Sequence, residues 1–314
     1  MKLSILIPTY NRSIFLLKNL ELLSEYIVNG SLQNEIEIIV SNNNSNDNTH
    51  EVITQFRNEQ KEIRLKYFLQ KENIGLEKNA LFTLKNATGK FVMYLGDDDY
   101  IEQDYLMQSL DYLNNHPETY CVIPSFISID VNGNYLAEGR DNKLENSHWK
   151  AGFNNCVRNS WRGHQLSGLI MNRDGLLDSY IERKLGNIYP FIYFVAYSCL
   201  NGDTFHFTKL PVKITQPGQE NKNWNYGKDG LINEIFDNYL KLPISNLERT
   251  ILQLDIYKKQ SWRLWMYHKI NNKELLKAFF YIWFSKNSTN IFKFFFPIEV
   301  AVLFTSEKIK RIIK

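Results

Sequence analysis

Residues 92–100, VMYLGDDDY, set a strand-like apolar run directly against three consecutive carboxylates, Asp97, Asp98 and Asp99. Adjacent carboxylates in a crevice repel one another, and such a cluster is tolerable only beside solvent, hydrogen-bond donors or a cation. A hard divalent cation such as Mg2+ or Mn2+ binds through one or two carboxylates together with the phosphates of a substrate. An acidic turn at the start of the helix expected near Gln103 would use the same residues with no ligand at all. Spacing alone leaves both readings open. Two further polar clusters, PTYNR (8–12) and SNNNSND (41–47), also follow apolar runs directly.

A regular alternation of elements must position these loops. KLSILIP (2–8) reads as a strand, and the helix after it carries Phe15, Leu16, Leu20, Leu23 and Ile27 at helical spacing. EIEIIVS (35–41) is a second strand, and the polar cluster behind it leads to a helix near HEVITQFRNE, with Asp47 or Thr49 as its cap. LKYFLQ (65–70) is a third strand, GLEKNALFTLKNA a third helix and KFVMYL (90–95) a fourth strand. This βαβαβαβ order implies an α/β fold with a mainly parallel, doubly wound sheet, which binds ligands beyond the carboxyl ends of its strands. The three polar loops therefore converge on one pocket.

Beyond residue 100 the pattern is less regular. It suggests a helix over 103–114, a strand TYCVIPSFISID (119–130), a turn at VNGN, a polar stretch to about residue 160, and a strand QLSGLIMNR (165–173). FIYFVAYSCL (191–200) is a buried helix or strand, and FHFTKLPVKIT (205–215) a last strand of the sheet. QPGQENKNWNYGKDG (216–230) reads as a loop, a boundary or a lid, after which the chain turns helical and basic. The expected domains are 1–230 and a helical extension over 231–314.

A chain of 314 residues, 44% hydrophobic and 23% charged, has the composition of a folded protein with one sizeable core and an appendage. Three scattered cysteines, Cys121, Cys156 and Cys199, do not make a disulfide framework or a thiolate metal site, which points to the cytoplasm. The first residues read as a strand and not as a signal peptide, and the most apolar stretch, IFKFFFPIEVAVLF (291–304), is interrupted by Lys293, Pro297 and Glu299. The net charge of +3 hides an asymmetry: residues 240–314 carry 14 Lys and Arg against 5 Asp and Glu, which leaves −6 on the body of the chain. No nucleic-acid motif accompanies the basic tail.

Taken in order, SILIPTYNR, IIVSNNNSNDNT, ENIGLEKNA and GKFVMYLGDDDY resemble the N-terminal half of the family 2 glycosyltransferases of GT-A fold, with the abequosyltransferase-like branch the nearest likeness. The resemblance implies inverting transfer of a sugar from a nucleoside-diphosphate sugar, with Mg2+ or Mn2+ as cofactor. On it, Pro8, Thr9, Tyr10, Asn11 and Arg12 match the loop that lies against base and ribose. Asn43 stands where many members have an aspartate that pairs with a pyrimidine, so a pyrimidine donor is expected. Asp47 is a contact or a turn residue. Gly75, Lys78 and Asn79 match the segment that closes over the nucleotide. Asp98 falls on the metal ligand, with Asp97 and Asp99 as ribose or supporting contacts and Asp99 as a possible second ligand. Ser167 and Gly168 match the strand bordering the donor sugar, and Trp161 and His164 are candidates for the acceptor site.

An inverting transfer needs a carboxylate to take the proton of the acceptor hydroxyl. The family's usual slot falls at GNIYPF (186–191), which holds Tyr189 and Pro190 instead. The catalytic base is thus unassigned, with Asp178, Glu182 and Asp203 as candidates beside Asp174. The tail interleaves aromatics with lysines, as an interfacial helix on anionic lipid would, or as helices packed in a homo-oligomer would. The expected protein is a glycosyltransferase at the inner face of a bacterial membrane, passing sugar to a glycan or lipid-linked acceptor of surface polysaccharide. The alternative is a non-catalytic module that binds nucleotide-sugar or glycan. Nucleotidyl transfer is disfavoured because PTYNRS lacks a Gly- and Lys-rich triphosphate loop.

Overall fold

In the computed structural model the four apolar runs of the first 95 residues form β1 (Leu3–Thr9), β2 (Ile36–Asn42), β3 (Leu65–Leu69) and β4 (Phe91–Tyr94), linked by α1 (Ser13–Asn29), α2 (Thr49–Glu59) and α3 (Leu76–Lys85). The structure describes residues 1–183, 186, 189–216, 232–268 and 271–313. It divides into two compact units, Met1–Lys222 and Asn223–Lys314. The boundary expected at 230–231 and, past Gln216, the loop expected over 216–230 lie outside the described residues.

β1 pairs parallel with both β2 and β4, and β2 with β3. The helical spacing in α1 has its physical basis in the core: Leu16, Leu20, Leu23 and Ile27 pack with Ile5, Ile7, Ile38 and Val40 of the sheet. Parallel pairing with crossover helices covers both faces of these strands, which is why β1, β2 and β4 are buried at every position.

The rest of the first unit comprises α4 (Gln103–Asn115), β5 (Thr119–Ile129), β6 (Tyr135–Arg140), β7 (Ser147–Trp149), α5 (Phe153–Asn159), β8 (Ile170–Asn172), α6 (Leu176–Glu182), α7 (Pro190–Asn201) and β9 (Asp203–Thr215). A 3-10 turn, Ser160–His164, follows α5. The sheet runs β3-β2-β1-β4-β8-β5-β9-β7, with β6 on β5. β8 is antiparallel to both β4 and β5, and β5 is parallel to β9, so β4, β5 and β9 point the same way.

Several expectations are corrected here. The polar stretch to residue 160 holds two edge strands and a helix, β6, β7 and α5. The strand expected over 165–173 shrinks to Ile170–Asn172, because Gly168 at φ +80° turns the backbone just before it. FIYFVAYSCL is helical, started by Pro190 in its first turn and buried on nearly every face.

The second unit contains α8 (Ile232–Leu240), α9 (Asn246–Lys259), α10 (Trp262–His268), α11 (Asn272–Trp283) and α12 (Asn290–Ile313). α9 begins in a capping box in which Ser245 and Glu248 satisfy each other's backbone N–H. Phe236, Tyr257, Ile282, Phe292 and Phe296 form its interior, whereas Phe280, Tyr281, Phe284, Phe294 and Ile298 are exposed. Among the described residues no helix is long and apolar enough to cross a membrane.

Candidate active site

The three polar loops meet at the carboxyl ends of β1, β2 and β4, and hydrogen bonds over long stretches of sequence join them. Asn11 sits in the left-handed region at φ 54°. Its N–H donates to Ser45 Oγ at 2.9 Å and its Oδ1 accepts from Asn46 N at 2.8 Å. Asn is among the few non-glycine residues that tolerate this conformation, and the two bonds stitch the first loop to the second. Asp47 accepts from Ser13 N at 3.2 Å and from Thr49 N at 3.1 Å. Against the burial that raises it, the bonds from Thr49 and Ser13 hold Asp47 below its usual range. It therefore ties together the starts of α1 and α2 as a turn residue.

At the end of β4, Thr9 Oγ1 donates to Asp97 Oδ2 at 2.7 Å, and Arg12 Nε stands 3.9 Å from Asp98 Oδ2. Burial, and behind it the Asp98 carboxylate, push Asp97 up to about 8, although Thr9 and Arg12 oppose the shift. Two partly buried carboxylates thus share one guanidinium that lies beyond hydrogen-bond distance. A donor set with this deficit of positive charge fits a divalent cation, which would be held by Asp98 with Asp97 beside it.

Asp99 is different. It is buried; its Oδ2 accepts from Ser167 Oγ at 2.5 Å and Gln165 Nε2 at 3.2 Å, and its Oδ1 from Thr215 N at 2.9 Å. Expected as a ribose contact or second ligand, its carboxylate is held by three donors of the chain. The backbone around the triplet is fixed as well. Asn19 Nδ2 donates to Gly96 O at 3.0 Å and to Asp99 O at 2.9 Å, and Thr215 Oγ1 donates to Asp98 O. Asn19, Gln165 and Thr215 were not among the candidates from sequence. Asn19 had a legible signal, a polar residue on the apolar stripe of α1, while nothing local marks Gln165 or Thr215.

In the first loop, Pro8 and Thr9 are buried at the end of β1 and Tyr10 is exposed. Asn43 is buried at a junction: its Oδ1 accepts from Ile74 N at 2.8 Å and its Nδ2 donates to Asn73 Oδ1 at 2.9 Å. Asn79 is also turned inward, accepting from Ser41 Oγ at 2.6 Å and donating to Ser41 O at 2.9 Å. Lys78, one residue earlier on α3, is exposed. Gly168 is required by packing as well as by its positive φ, since a Cβ there would meet Val212 Cγ2 at 2.6 Å. Ser167 serves the triplet, donating to Asp99 and accepting from Gly96 N at 2.9 Å.

Trp161 and His164 lie on the 3-10 turn that delivers Gln165 to Asp99, their rings parallel within 7° and 5.7 Å apart. Asp141 fastens that turn to β6 and β9, with Oδ2 at 2.7 Å from Arg162 Nε, 3.2 Å from His206 Nε2 and 3.4 Å from Arg140 Nε. Against burial, His206 and Arg162 hold the Asp141 carboxyl well below its usual range.

The candidates for the base separate by topology. Asp203 opens β9, so it lies at the opposite end of the sheet from Asp98; it is paired there with Lys150 at 2.8 Å. That end is not where the three polar loops meet. Asp174 follows β8 at that same far end, where its neighbour Arg173 donates to Gly89 O at 2.7 Å, ahead of β4. α6 then runs back toward the site, and Tyr180 donates to Glu77 Oε1 at 2.6 Å in the first turn of α3. Glu182 ends α6 on that side, one turn beyond Asp178. In the slot itself Tyr189 is buried and Pro190 opens α7, while residues 187 and 188 lie outside the described residues.

The model of the family described as Glycosyl transferase family 2 matches residues 4–179, more than half of the chain and all of the loops above. The chain belongs to glycosyl transferase family 2. Among relatives, it is 33% identical over 149 residues to GalNAc(5)-diNAcBac-PP-undecaprenol beta-1,3-glucosyltransferase of Campylobacter jejuni, which covers 46% of this chain and 44% of that one. It is 32% identical over 120 residues to abequosyltransferase RfbV of Salmonella typhimurium, covering 38% and 35%. The chain therefore spans less than half the length of these curated relatives. In fold it is similar to residues 1–349 of S. aureus TarS in complex with UDP-GlcNAc, with TM-score 0.67, 18% identity and coverage of 89% and 80%. This family 2 chain thus has the α/β GT-A architecture with helices following it.

Proposed function

We propose that this chain transfers a glycosyl group from a nucleoside-diphosphate sugar, with inversion at the anomeric carbon, to a glycan or lipid-linked acceptor of bacterial surface polysaccharide. The observation that carries the reading is the convergence of Thr9, Arg12, Asp97 and Asp98 at the carboxyl ends of β1 and β4, in a chain whose residues 4–179 match the family. Relatives support the acceptor class, since the Campylobacter protein is named for an undecaprenol-linked acceptor. TarS was crystallised with UDP-GlcNAc, which supports a pyrimidine nucleotide.

In this reading Asp98 and Asp97 would hold Mg2+ or Mn2+, whose charge offsets that building on the leaving diphosphate. Asn19, Thr215 and Asp99 keep the triplet's backbone in place, and Arg12 adds a fixed positive charge beside it. The acceptor oxygen forms its bond to the anomeric carbon as the bond from that carbon to the diphosphate oxygen breaks. Glu182 is the carboxylate we assign to take the acceptor proton. Trp161 and His164 offer a partly exposed aromatic face on which a sugar ring can stack.

The exposed Phe280, Tyr281, Phe284 and Phe294, set among Lys277, Lys286 and Lys293, form a peripheral contact with anionic lipid in this account. That contact would hold the chain at the cytoplasmic face of the membrane. Two measurements test the proposal. A panel of nucleotide-sugars with Mn2+ should release nucleoside diphosphate from one donor class, and release from none, with lipid-linked acceptors present, would leave only the binding-module reading. Sedimentation with vesicles of phosphatidylglycerol and phosphatidylcholine should retain the protein at low salt; equal retention after Phe280→Ser, Phe284→Ser and Phe294→Ser would contradict the lipid contact.

A further inference from the structure

A second group of metal-type side chains lies far from the donor site. β9 runs from Asp203 to Thr215, and Thr215 touches Asp98 and Asp99. β9 is bulged against β5, and the partner stretch Thr119–Ile129, at about 3.3 Å per residue, puts Asp203 roughly 30 Å away. There, ligand atoms of Glu118, His148 and Asp203 lie within 4.8 Å of one another. They come from three segments: the approach to β5, the edge strand β7 and the start of β9. His116 stands alongside, its Nδ1 3.4 Å from Glu118 Oε1, and His148 Nε2 is 3.1 Å from Asp203 Oδ2.

These separations have a chemical meaning. Ligands at about 2.0–2.1 Å around a tetrahedral zinc ion are separated by about 3.3–3.4 Å along each edge. The His148–Asp203 edge is already near that length, and the other two need the side chains of Glu118 and His148, both exposed, to close inward, with His116 beside Glu118. The anchor is rigid: Asp203 is buried and its Oδ1 accepts from Ala151 N at 2.9 Å, which leaves Oδ2 facing the histidine. The His116 ring is held by stacking on Tyr112 at 4.1 Å, and Tyr112 in turn stacks on Phe205 at 3.9 Å. Lys150 Nζ, at 2.8 Å from Asp203 Oδ2 and 78% exposed, places a mobile single charge where a divalent ion would sit.

We propose that Glu118, His148 and Asp203, with His116 supporting Glu118, form a binding site for a divalent ion of the zinc class, separate from the donor site. Mixed imidazole and carboxylate ligands favour zinc or a similar transition ion over Mg2+ or Ca2+, which prefer oxygen alone. The ion would cross-link β7, a three-residue edge strand, to β9 and to the approach to β5. Its role is to brace the far end of the sheet, and it takes no part in transfer.

The test uses the full chain carrying Asp98→Asn, so that the donor site contributes little. Co2+ is titrated by visible absorption and Zn2+ by equilibrium dialysis with metal analysis. One equivalent should bind, and His148→Ala or Glu118→Gln should weaken it by about a hundredfold or more, since loss of an outer partner alone costs about 10–100-fold. Both side chains are exposed, so these variants should keep the parent's melting temperature without metal. Lys150→Met should tighten binding, because it removes the competing charge. Zn2+ should raise the melting temperature of the parent and not of His148→Ala. The absence of a stoichiometric site, or binding that His148→Ala and Glu118→Gln leave unchanged, would overturn the proposal.

Discussion

The two halves of the first unit, before and after residue 119, are built by different rules. In residues 1–100 each functional loop follows a parallel strand, and parallel pairing forces every such loop to the same end of the sheet. Bonds such as Thr9 to Asp97 and Asn11 to Ser45 then lock loops that are distant in sequence. Beyond residue 119 the sheet grows by antiparallel strands and a parallel return, and Gln165, Ser167 and Thr215 reach Asp99 from the segment after a 3-10 turn and from a strand end. Position in the first half follows from topology, and in the second half from individual contacts. Substitutions that separate chemistry from scaffold test this contrast.

The largest effect belongs to Asp98. Asp98→Asn should lower sugar transfer by about a thousandfold or more, as expected when several kcal/mol of charge stabilisation is lost, in an assay of nucleoside diphosphate release. Next is Glu182→Gln, expected to lower kcat by about 10²–10⁴-fold with little change in donor KM. Asp203→Asn should leave kcat within about twofold of the parent, a difference of less than about 0.5 kcal/mol. If Asp203→Asn carried the loss and Glu182→Gln did not, the topological assignment of the base would be wrong.

A smaller effect distinguishes neighbours. Asp99→Ala strands Thr215 N, Ser167 Oγ and Gln165 Nε2, and should cost roughly 2–4 kcal/mol in urea unfolding at the usual penalty for unsatisfied buried groups. Asp98→Ala, which among the described residues removes a long ion pair with Arg12 and the repulsion Asp98 exerts on Asp97, should change stability by less than about 1 kcal/mol. Equal losses would mean that the two carboxylates share one role.

The smallest expected effect is a slope with pH. Asp97 is raised from its ordinary 3.8 to about 8, so between those values the folded chain holds a proton that the unfolded chain has released. Stability without divalent ions should therefore fall as pH rises through that window. Asp97→Asn should flatten the slope and be more stable than the parent at pH 8. A parent whose stability rose with pH while the Asp97→Asn slope matched it would contradict the assignment.

What was legible in the sequence follows the same contrast. The strands β1 to β4 and the convergence of their loops could be read because apolar runs, turn clusters and βαβ order all agree. β6 and β7 could not, since YLAEGR and SHW are polar edge segments defined by their pairing to β5 and β9. α7 was ambiguous because burial on nearly all faces erases helical periodicity. In the site, Thr9, Arg12, Asp97 and Asp98 come together as the motifs imply. For Asn43, Asn79 and Asp99 type and position were readable, but the partners that hold each amide or carboxylate, such as Ile74, Ser41 and Thr215, were not. Gln165 and Thr215 reach the triplet from the second half, and no local pattern announces a contact across that distance.

The central claim is that Asp98 joins a divalent cation to a nucleoside diphosphate at the end of β4. Calorimetric titration of UDP, with CDP and dTDP as further probes, into the parent and Asp98→Asn, each with and without Mn2+, tests it most directly. The account expects Mn2+ to tighten nucleotide binding to the parent by about tenfold or more, about 1.4 kcal/mol, and to leave Asp98→Asn nearly unchanged. Nucleotide binding that is the same with and without Mn2+ in the parent, or an Mn2+ effect that survives Asp98→Asn intact, would contradict it.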